Sequence, residues 1–409
     1  MNYQTISFIQ PSRNNLKYLK WSYNSIRKNL GYRHEICMAD DFSDDGTWEW
    51  MKEIAEKDVN VKIHRNEGPT RLGHTILYDT LINDYATNDV VMIYHADMYA
   101  CPKFDESILK LIEPGVVVSG TRIEPPLHPD GPEKILKDFG IEPEEFDELK
   151  LMEFLENEVH YDKGRGIVTE GIFAPWAILK SDWDYIGGHD PIFAPQSKED
   201  SDIFNRFELA GFKFKQTWDG FVYHMTCRGS RFKDGAMRNP AGQVFMKGRE
   251  SDEWLIQNKK STREFIRKWG HFVNHDSMMK PIVPPKYDVA FVAYNCTKEL
   301  LSELEPWCSK IYLDLRDSDS LSEYVREEQP KTSFDLDERV KLYGTNKISE
   351  LHDICVEFDC NKLNANNFQH LVNLSQILQD SGEIGEMKLD IFKLYISKLD
   401  TYEKELIQL

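Results

Sequence analysis

The 409-residue chain has no hydrophobic run long enough to cross a membrane. It also lacks the succession of charged, apolar and small residues that marks a signal peptide, because its first residues lead directly into a predicted strand at 5–9. Its seven cysteines are scattered, odd in number and without the paired spacing of a metal site, which favours free thiols in a reducing compartment. These absences predict a cytoplasmic protein without a membrane span.

Basic residues are outnumbered in this chain. There are 50 Lys and Arg side chains against 69 Asp and Glu side chains, which gives a formal net charge of -19. Nucleic acids and anionic membranes bind basic surfaces, so this balance argues against both as partners. A hydrophobic share of 41% is enough for a folded core, and the length predicts two domains, or one large domain with an appendage.

A short apolar run, residues 90–98, carries His95 and Asp97 at its end. Such a run predicts a strand buried on both faces, as in the middle of a parallel sheet. Alternation along the strand turns His95 and Asp97 to the same side, and ligands of open α/β sheets bind beyond the carboxyl ends of the strands. Both side chains can then reach one cation. The alternative is that Asp97 caps a turn and His95 packs in the core.

Three successive strand-helix units are predicted before that run. Their strands are at residues 5–10, 35–39 and 59–64, and their helices are at 16–30, 48–57 and 75–85. This succession predicts one parallel sheet with a shared ligand edge. Four carboxylates follow the second strand: Asp40, Asp41, Asp44 and Asp45. Asp44 or Asp45 can cap the next helix, whereas Asp40 and Asp41 favour a ligand role.

A segment rich in Pro and Glu, residues 124–163, interrupts this pattern. It either covers the acceptor side of a site or contacts a partner, or it is a solvated acidic decoration. Beyond it come an apolar strand, a Gly-Gly turn, and Glu199 and Asp200 at the predicted start of a helix. Farther on, His224 ends another apolar strand and precedes a basic, Gly-rich loop. A lone histidine at such a place is either a ligand or a structural residue.

In their joint order these motifs resemble the GT-A glycosyltransferases, in particular family 2, over residues 5–225. The motifs that carry the resemblance are Pro11-Ser12-Arg13-Asn14, the cluster from Asp40 to Thr47, the Gly loop at 66–74, His95-Ala96-Asp97-Met98, Gly187-Gly188 and Lys198-Glu199-Asp200. The resemblance implies an α/β fold with a Rossmann-like, mostly parallel sheet flanked by helices. It also implies transfer of a sugar from a nucleotide-diphosphate sugar, preferably uridine-based, to a glycan or other hydroxyl acceptor, with Mn²⁺ or Mg²⁺.

The resemblance further implies roles for particular residues. Asp97 and His224 are expected to bind the metal, Asp200 to be the base of an inverting reaction, and Glu199 to orient the acceptor, with Asp202 as the second candidate for the base. The expected substrate-binding residues are Pro11, Arg13, Asp41 at the nucleotide base, Arg71 at the ribose or diphosphate, His95, Ala96, and Arg228 and Arg231 in the basic loop. The start of a helix is expected to lower the pKa of Asp200.

One departure from the family has chemical consequences. The family usually has Asp at the first position of its strand-end motif, where this chain has His95. An imidazole can ligate Mn²⁺ but brings no negative charge, so either metal affinity is weaker or His224 compensates. A non-catalytic descendant that binds nucleotide or glycan is therefore an alternative. A nucleotidyltransferase is disfavoured, because Pro11 to Asn14 is not a Gly-rich phosphate loop.

The composition changes after these motifs. The glycosyltransferase-like domain is predicted to span 1–250, followed by a helical segment and Pro-rich linker at 251–285 and a small α/β domain of unknown role at 286–409. Closing helices are expected at 368–378 and 386–406. No chemical motif is found in the last domain. The roles expected of it are contact with a second copy of the chain, giving a homo-oligomer, or docking of the acceptor.

Overall fold

A computed structural model describes residues 3–159, 164–226, 228, 231–344 and 348–409. It divides into two compact units: the first holds residues 1–257, 275–281 and 409, and the second holds 258–274 and 282–408. Six cysteines in the described ranges are buried free thiols, and Cys227 lies outside those ranges. No helix among the described residues is long and apolar enough to cross a bilayer.

The first unit is built on a ten-stranded mixed sheet and a small hairpin. Their strands are β1 (Ser7–Ser12), β2 (Glu35–Asp41), β3 (Val61–Asn66), β4 (Val90–Ile93), β5 (Met98–Ala100), β6 (Val116–Glu124), β7 (Lys134–Leu136), β8 (Val168–Thr169), β9 (Trp176–Leu179), β10 (Lys213–His224), and the hairpin strands β11 (Ala236–Arg238) and β12 (Val244–Met246). The main path of the sheet is β3-β2-β1-β4-β9-β6-β10-β5, with β7 beside β6 and β8 beside β10. The predicted α/β class and mostly parallel sheet are confirmed.

The predicted ligand edge follows from the parallel strands. Strands β1 and β4 are parallel neighbours, and so are β1 and β2, with Ser12 opposite Asp40. All residues of β2 and β4 are buried, as expected for short apolar strands in the middle of a sheet. The carboxyl ends of β1, β2 and β4 therefore meet, and the segments that carry Pro11, Asp41 and His95 lie along one edge.

Helices cover this sheet. They are α1 (Leu16–Asn29), α2 (Thr47–Lys57), α3 (Gly73–Thr80), α4 (Phe104–Leu109), α5 (Glu148–Asn157), α6 (Lys180–Ile186), α7 (Glu199–Leu209) and α8 (Asp252–Trp269), which runs on into the second unit. A π-helical turn, Leu81–Tyr85, continues α3. The carboxylate of Asp45 accepts hydrogen bonds from the backbone N–H of Thr47 at 3.1 Å and of Leu16 at 3.0 Å. Asp45 thus accepts from the first backbone N–H of both α1 and α2; of the two residues suggested from the sequence for the start of α2, Asp44 and Asp45, it is the one that makes this contact.

The Pro- and Glu-rich segment packs onto the unit. Apolar side chains of α5 join sheet aromatics in one buried cluster: Leu151, Phe154, Leu155, Tyr99 and Tyr223. Glu142 of the segment also accepts a hydrogen bond of 2.7 Å from the hydroxyl of Tyr18 in α1, a residue of the same cluster. A segment that was only an acidic, solvent-exposed insertion would not contribute side chains to such a buried cluster. The end of the predicted segment, residues 160–163, lies outside the described residues.

The second unit has its own six-stranded sheet in the order β15-β14-β13-β16-β18-β17. Its strands are β13 (Val289–Tyr294), β14 (Lys310–Leu313), β15 (Val340–Leu342), β16 (Ile354–Asp359), β17 (Gly385–Leu389) and β18 (Phe392–Ile396). Its further helices are α9 (Lys298–Leu304), α10 (Ser318–Glu328), α11 (Leu336–Arg339), α12 (Ala365–Val372) and α13 (Leu374–Ser381). The four strands β13 to β16 are parallel, and β17 and β18 form an antiparallel hairpin. A smaller C-terminal α/β unit is therefore confirmed.

The helix predicted at 386–406 is wrong, because β17 and β18 occupy its first half. Phe392, Leu394 and Ile396 alternate into the core of the second unit, a period of two that a helix cannot bury on one face. Asp390 takes the left-handed conformation, with φ of 53°, that the two-residue turn needs.

A buried ion cluster lies in the core of the second unit. The Arg267 side chain is 1% exposed, and its guanidinium contacts three carboxylates, Glu264, Glu305 and Glu328. Although burial opposes it, Arg339 and Arg267 lower the pKa of Glu305 to about 2. The cluster joins the end of α8 to α10 and to the turn after α9.

Candidate active site

Two adjoining clefts lie at the carboxyl edge of the first unit. The first cleft, of about 420 Å³, is lined by Pro11, Ser12, Arg13, Asn14, Asn15, Asp41, Arg71, His74, Leu77, Gln196 and Arg228. The second cleft, of about 480 Å³, includes among its lining residues His95, Ala96, Asp97, Arg122, Glu124, Phe173, Glu199, Asp200, His224, Arg231 and Met279. Pro11, Asn15, His74 and Arg228 line both. Each residue that the resemblance led us to expect at the substrate, at the metal or as the first-choice catalytic group lines one of these two clefts. Asp40 and the second candidate base, Asp202, are not in their linings; Asp40 is buried and accepts a hydrogen bond of 3.2 Å from Ser43 N.

Three side chains in the second cleft form a compact group of potential metal ligands. One ligand atom from each of His95, Asp97 and His224 lies within 4.8 Å of the others. The antiparallel pairing of β10 with β5 brings this about, because it sets His224 opposite Met98, next to Asp97. Nε2 of His224 lies 3.4 Å from Oδ1 of Asp97. Strand ends that are far apart in sequence thus converge on a point where one cation can be held.

Glu124, the last residue of β6, orients His224. Its Oε1 lies 2.8 Å from Nδ1 of His224, which leaves Nε2 directed to Asp97. Carboxylates commonly hold metal-binding histidines in this way and raise their basicity. Glu124 is itself buried between Arg122, at 3.0 Å, and Lys134, at 3.3 Å. From the sequence this residue is only the start of the inserted segment; its one signal is its position at the end of a strand next to β10.

The electrostatics of this group favour a cation only in part, because His224 must lose the proton on its Nε2 before that nitrogen can bind a metal. Burial and the adjacent His224 lower the pKa of His95 to about 4, so His95 is a neutral imidazole with a free lone pair. Although burial opposes it, Asp97 and Glu124 raise the pKa of His224 to about 9, and His224 lowers the pKa of Asp97. Two imidazoles and one carboxylate form a donor set that fits a first-row transition metal such as Mn²⁺ better than Mg²⁺, which prefers oxygen ligands.

Glu199 and Asp200 begin α7 on the other side of the second cleft. Two residues with positive φ, Ser197 and Lys198, turn the chain into this helix. Glu199 is buried and its Oε1 lies 2.6 Å from Nε2 of His74. Asp202 is also buried and forms an ion pair of 2.9 Å with Arg206 one turn later, a structural role that sets it apart from the cleft.

The expected lowering of the Asp200 pKa is wrong in direction. Burial and the neighbouring charge of Glu199 raise the pKa of Asp200 to about 6. The start of a helix lowers the pKa of a carboxyl group only weakly at a partly exposed first turn. A second carboxylate at the adjacent position raises that pKa strongly. A carboxylate with this pKa is a better proton acceptor than an ordinary aspartate and is still mostly ionised at neutral pH.

The carboxylate of Asp41 organises the loop between β3 and α3. It accepts hydrogen bonds from Asn66 Nδ2 at 2.7 Å, from Leu72 N at 3.0 Å and from Gly73 N at 2.8 Å. Three of its roughly four lone-pair sites are therefore used within the protein. The remaining site is on Oδ2, which also lies 3.6 Å from Nε of Arg71, and Asp41 is in the lining of the first cleft.

The predicted basic residues are distributed over both clefts. Arg13 and Arg71 line the first cleft, and Arg71 donates a hydrogen bond of 2.8 Å to Gln196. Arg228 lines both clefts and donates to the backbone oxygen of Ile141 in the inserted segment. Arg231 lines the second cleft, where its guanidinium also pairs with Glu250 at 2.9 Å. Gly229 of the predicted flexible loop lies outside the described residues.

Known proteins provide two comparisons. Residues 7–164 match the family described as Glycosyl transferase family 2. Among solved structures, the chain is similar to "Crystal structure of GalNAc-T7 with UDP, GalNAc and Mn2+", with 16% sequence identity and a TM-score of 0.42. The match covers 55% of this chain and 44% of that chain, so this chain spans less than half the length of that relative. At this TM-score the likeness supports no conclusion about the site.

Proposed function

We propose that this protein transfers a sugar from a nucleotide-diphosphate sugar to a hydroxyl group of an acceptor, a proposal supported by the match of residues 7–164 to the family described as Glycosyl transferase family 2. One observation carries the proposal. The metal-ligand group of His95, Asp97 and His224 and the carboxylate of Asp200 line the same cleft. A displacement reaction needs both a group that stabilises the leaving diphosphate and a base for the incoming hydroxyl.

The nucleoside is proposed to bind in the first cleft. This cleft adjoins the metal-ligand group through Pro11, Asn15, His74 and Arg228, which line both clefts. Asp41 has capacity for about one more hydrogen-bond donor there, and the imide N–H of uracil is such a donor. A uridine donor is therefore favoured over cytidine, whose base presents an acceptor at the same position.

His95, Asp97 and His224 are the residues proposed to hold Mn²⁺. When bound, such an ion neutralises charge on the diphosphate leaving group. Asp97 is the one candidate ligand with a negative charge, so the protein alone is expected to bind the metal weakly. Arg228 and Arg231 add positive charge along the cleft for the same diphosphate.

Asp200 is proposed to take the proton from the acceptor hydroxyl as that oxygen attacks the anomeric carbon. A single displacement of this kind inverts the anomeric configuration. Glu199 is proposed to orient the acceptor, because its Oε2 is buried without a hydrogen-bond partner among the described residues while its Oε1 is held by His74. An acceptor hydroxyl would satisfy that oxygen.

Calorimetry with nucleoside diphosphates tests the donor site directly. Uridine diphosphate is expected to bind more tightly than cytidine or guanosine diphosphate, and Mn²⁺ is expected to tighten its binding. Tighter binding of guanosine or cytidine diphosphate would refute the assignment of the base. Equal affinity with and without Mn²⁺ would refute the assignment of the metal group.

A second candidate is a domain that binds nucleotide or glycan without turnover. The observation that favours it is His95, an uncharged ligand where the family usually has a carboxylate. The two candidates differ in one measurable property: a binding domain retains uridine diphosphate affinity but releases no nucleotide from any nucleotide sugar, even with Mn²⁺ present.

A further inference from the structure

His74 stands where the two clefts meet, since it lines both of them. It lies at the start of α3, where Gly73 packs so closely on Pro195 that an added Cβ would lie 1.9 Å from the Pro195 carbonyl oxygen. This close approach joins the start of α3 to the segment that leads into α7. The imidazole therefore reaches the first residue of α7, with Nε2 2.6 Å from Oε1 of Glu199.

His74 and Glu199 form an ion pair that is largely shielded from solvent. The Glu199 side chain is 7% exposed and that of His74 is 34% exposed. A carboxylate buried to this degree stays charged only with a cationic or hydrogen-bonded partner. Burial opposes both changes, yet Glu199 raises the pKa of His74 and His74 lowers the pKa of Glu199. Each partner therefore favours the charged form of the other.

The charges of Glu199 and His74 both affect the pKa of the neighbouring Asp200. Glu199 on its own helix raises its pKa, while His189 from the turn after α6 and His74 from α3 lower it. The other titratable and charged groups in the lining of this cleft include Tyr78 of α3 and, on other elements, His95, Asp97, His224, Arg228 and Arg231. Without the charge of His74, the buried Glu199 and the half-buried Asp200 would be two adjacent carboxylates with one cationic partner fewer, a situation that favours uptake of a proton by one of them.

We propose that His74 is a positioning residue for the reaction: its ion pair fixes Glu199 in the charged form and keeps the adjacent Asp200 ionised and able to accept a proton. The inference rests on the proposed function, in which Asp200 is the base. His74 acts through Glu199 and not on the reacting atoms. The proposal also explains why a histidine lies at the start of α3, beside the first cleft. The sequence motifs assign no role to this residue.

Two substitutions separate the charge of His74 from its shape. His74→Gln keeps a hydrogen-bond donor for Glu199 but removes the charge, whereas His74→Lys keeps the charge. The measurement is kcat/KM for transfer as a function of pH. In His74→Gln the acidic limb is expected to move up by about one pH unit, so that the rate at pH 6 falls by about fivefold while the rate at pH 8 changes little. In His74→Lys the acidic limb is expected to stay at its wild-type position. An equal loss at every pH in both variants would mean that His74 is only structural, and would overturn the proposal.

A second measurement does not depend on turnover. Infrared difference spectra between each protein and its Asp200→Asn derivative follow protonation of the Asp200 carboxyl group directly. The pH at which half of the Asp200 carboxyl groups are protonated is expected to rise by about one unit in the His74→Gln background. An unchanged midpoint would overturn the role of His74 even if transfer is observed. A shifted midpoint in a protein that transfers no sugar would uphold the role of His74 in protonation and refute the transferase function instead.

Discussion

Replacing Glu124 by glutamine is expected to weaken Mn²⁺ binding without touching a proposed ligand. Glu124 accepts a hydrogen bond of 2.8 Å from Nδ1 of His224 and is nearly fully buried. The amide keeps the size of the side chain but has no negative charge. The imidazole of His224 then loses the partner that fixes its orientation and raises its basicity, so its Nε2 becomes a poorer ligand.

The size of the effect follows from the kind of contact. Loss of the carboxylate partner of a metal-binding histidine typically costs about 10-fold to 100-fold in metal affinity. That range corresponds to about 1.4 to 2.7 kcal/mol of binding free energy. The lower end is expected for glutamine, because its side-chain oxygen can still accept the hydrogen bond from Nδ1.

Titration with Mn²⁺, followed by the electron paramagnetic resonance signal of the free ion, measures this affinity without any sugar substrate. Glu133→Gln is the matched control. Glu133 shares the partners Arg122 and Lys134 with Glu124 but makes no contact with His224 in the described structure. Mn²⁺ is expected to bind more weakly to Glu124→Gln than to wild type and about as tightly to Glu133→Gln as to wild type. Equal Mn²⁺ affinity in wild type and Glu124→Gln, or an equal loss in the two variants, would refute the reasoning.

Four further outcomes are expected. Asp97→Asn should abolish the gain in uridine diphosphate affinity that Mn²⁺ provides, because it removes the one charged ligand; a persistent gain in calorimetry contradicts this. Asp200→Asn should lower transfer about 10²-fold or more while donor binding survives. Wild-type transfer should fall about tenfold from pH 7.5 to pH 5, since a base with a pKa of about 6 loses its ionised form as the pH drops through that value; a product that retains the donor's anomeric configuration contradicts the role of this base. In the second unit, Arg267→Met should lower the free energy of unfolding by about 3 to 5 kcal/mol in urea titrations, because each of three buried carboxylates loses one cationic partner, whereas Arg316→Met, at an exposed pair, should leave the transition midpoint unchanged.

The sequence predicted the edge of the sheet where the clefts lie, because local patterns determine it. A short apolar strand with His95 and Asp97 at its end, and carboxylates after an earlier parallel strand, place those side chains together by topology alone. The capping role of Asp45 was also predictable from its place before a helix. These inferences needed only the order of strands and helices.

Other features depend on contacts between distant parts of the chain. Glu124 and His224 are 100 residues apart, and only the parallel pairing of β6 with β10 brings them together. The raised pKa of Asp200 follows from burial and from the nearby Glu199, whereas the sequence indicated only a helix start. In the second unit, a helix was expected at 386–406, although Phe392, Leu394 and Ile396 alternate with other residues, which is the pattern of a strand.

Release of nucleoside diphosphate from a panel of nucleotide sugars, with and without Mn²⁺, is the most direct test of the central claim that the second cleft carries out glycosyl transfer. Nucleoside diphosphate is expected to be released from a uridine-based donor in the presence of Mn²⁺, and this release is expected to fall strongly when Mn²⁺ is chelated. A similar fall is expected in Asp200→Asn, although that variant still binds uridine diphosphate. Wild-type protein that binds uridine diphosphate but releases no nucleotide from any donor, or Asp200→Asn that releases it at the wild-type rate, would contradict the account.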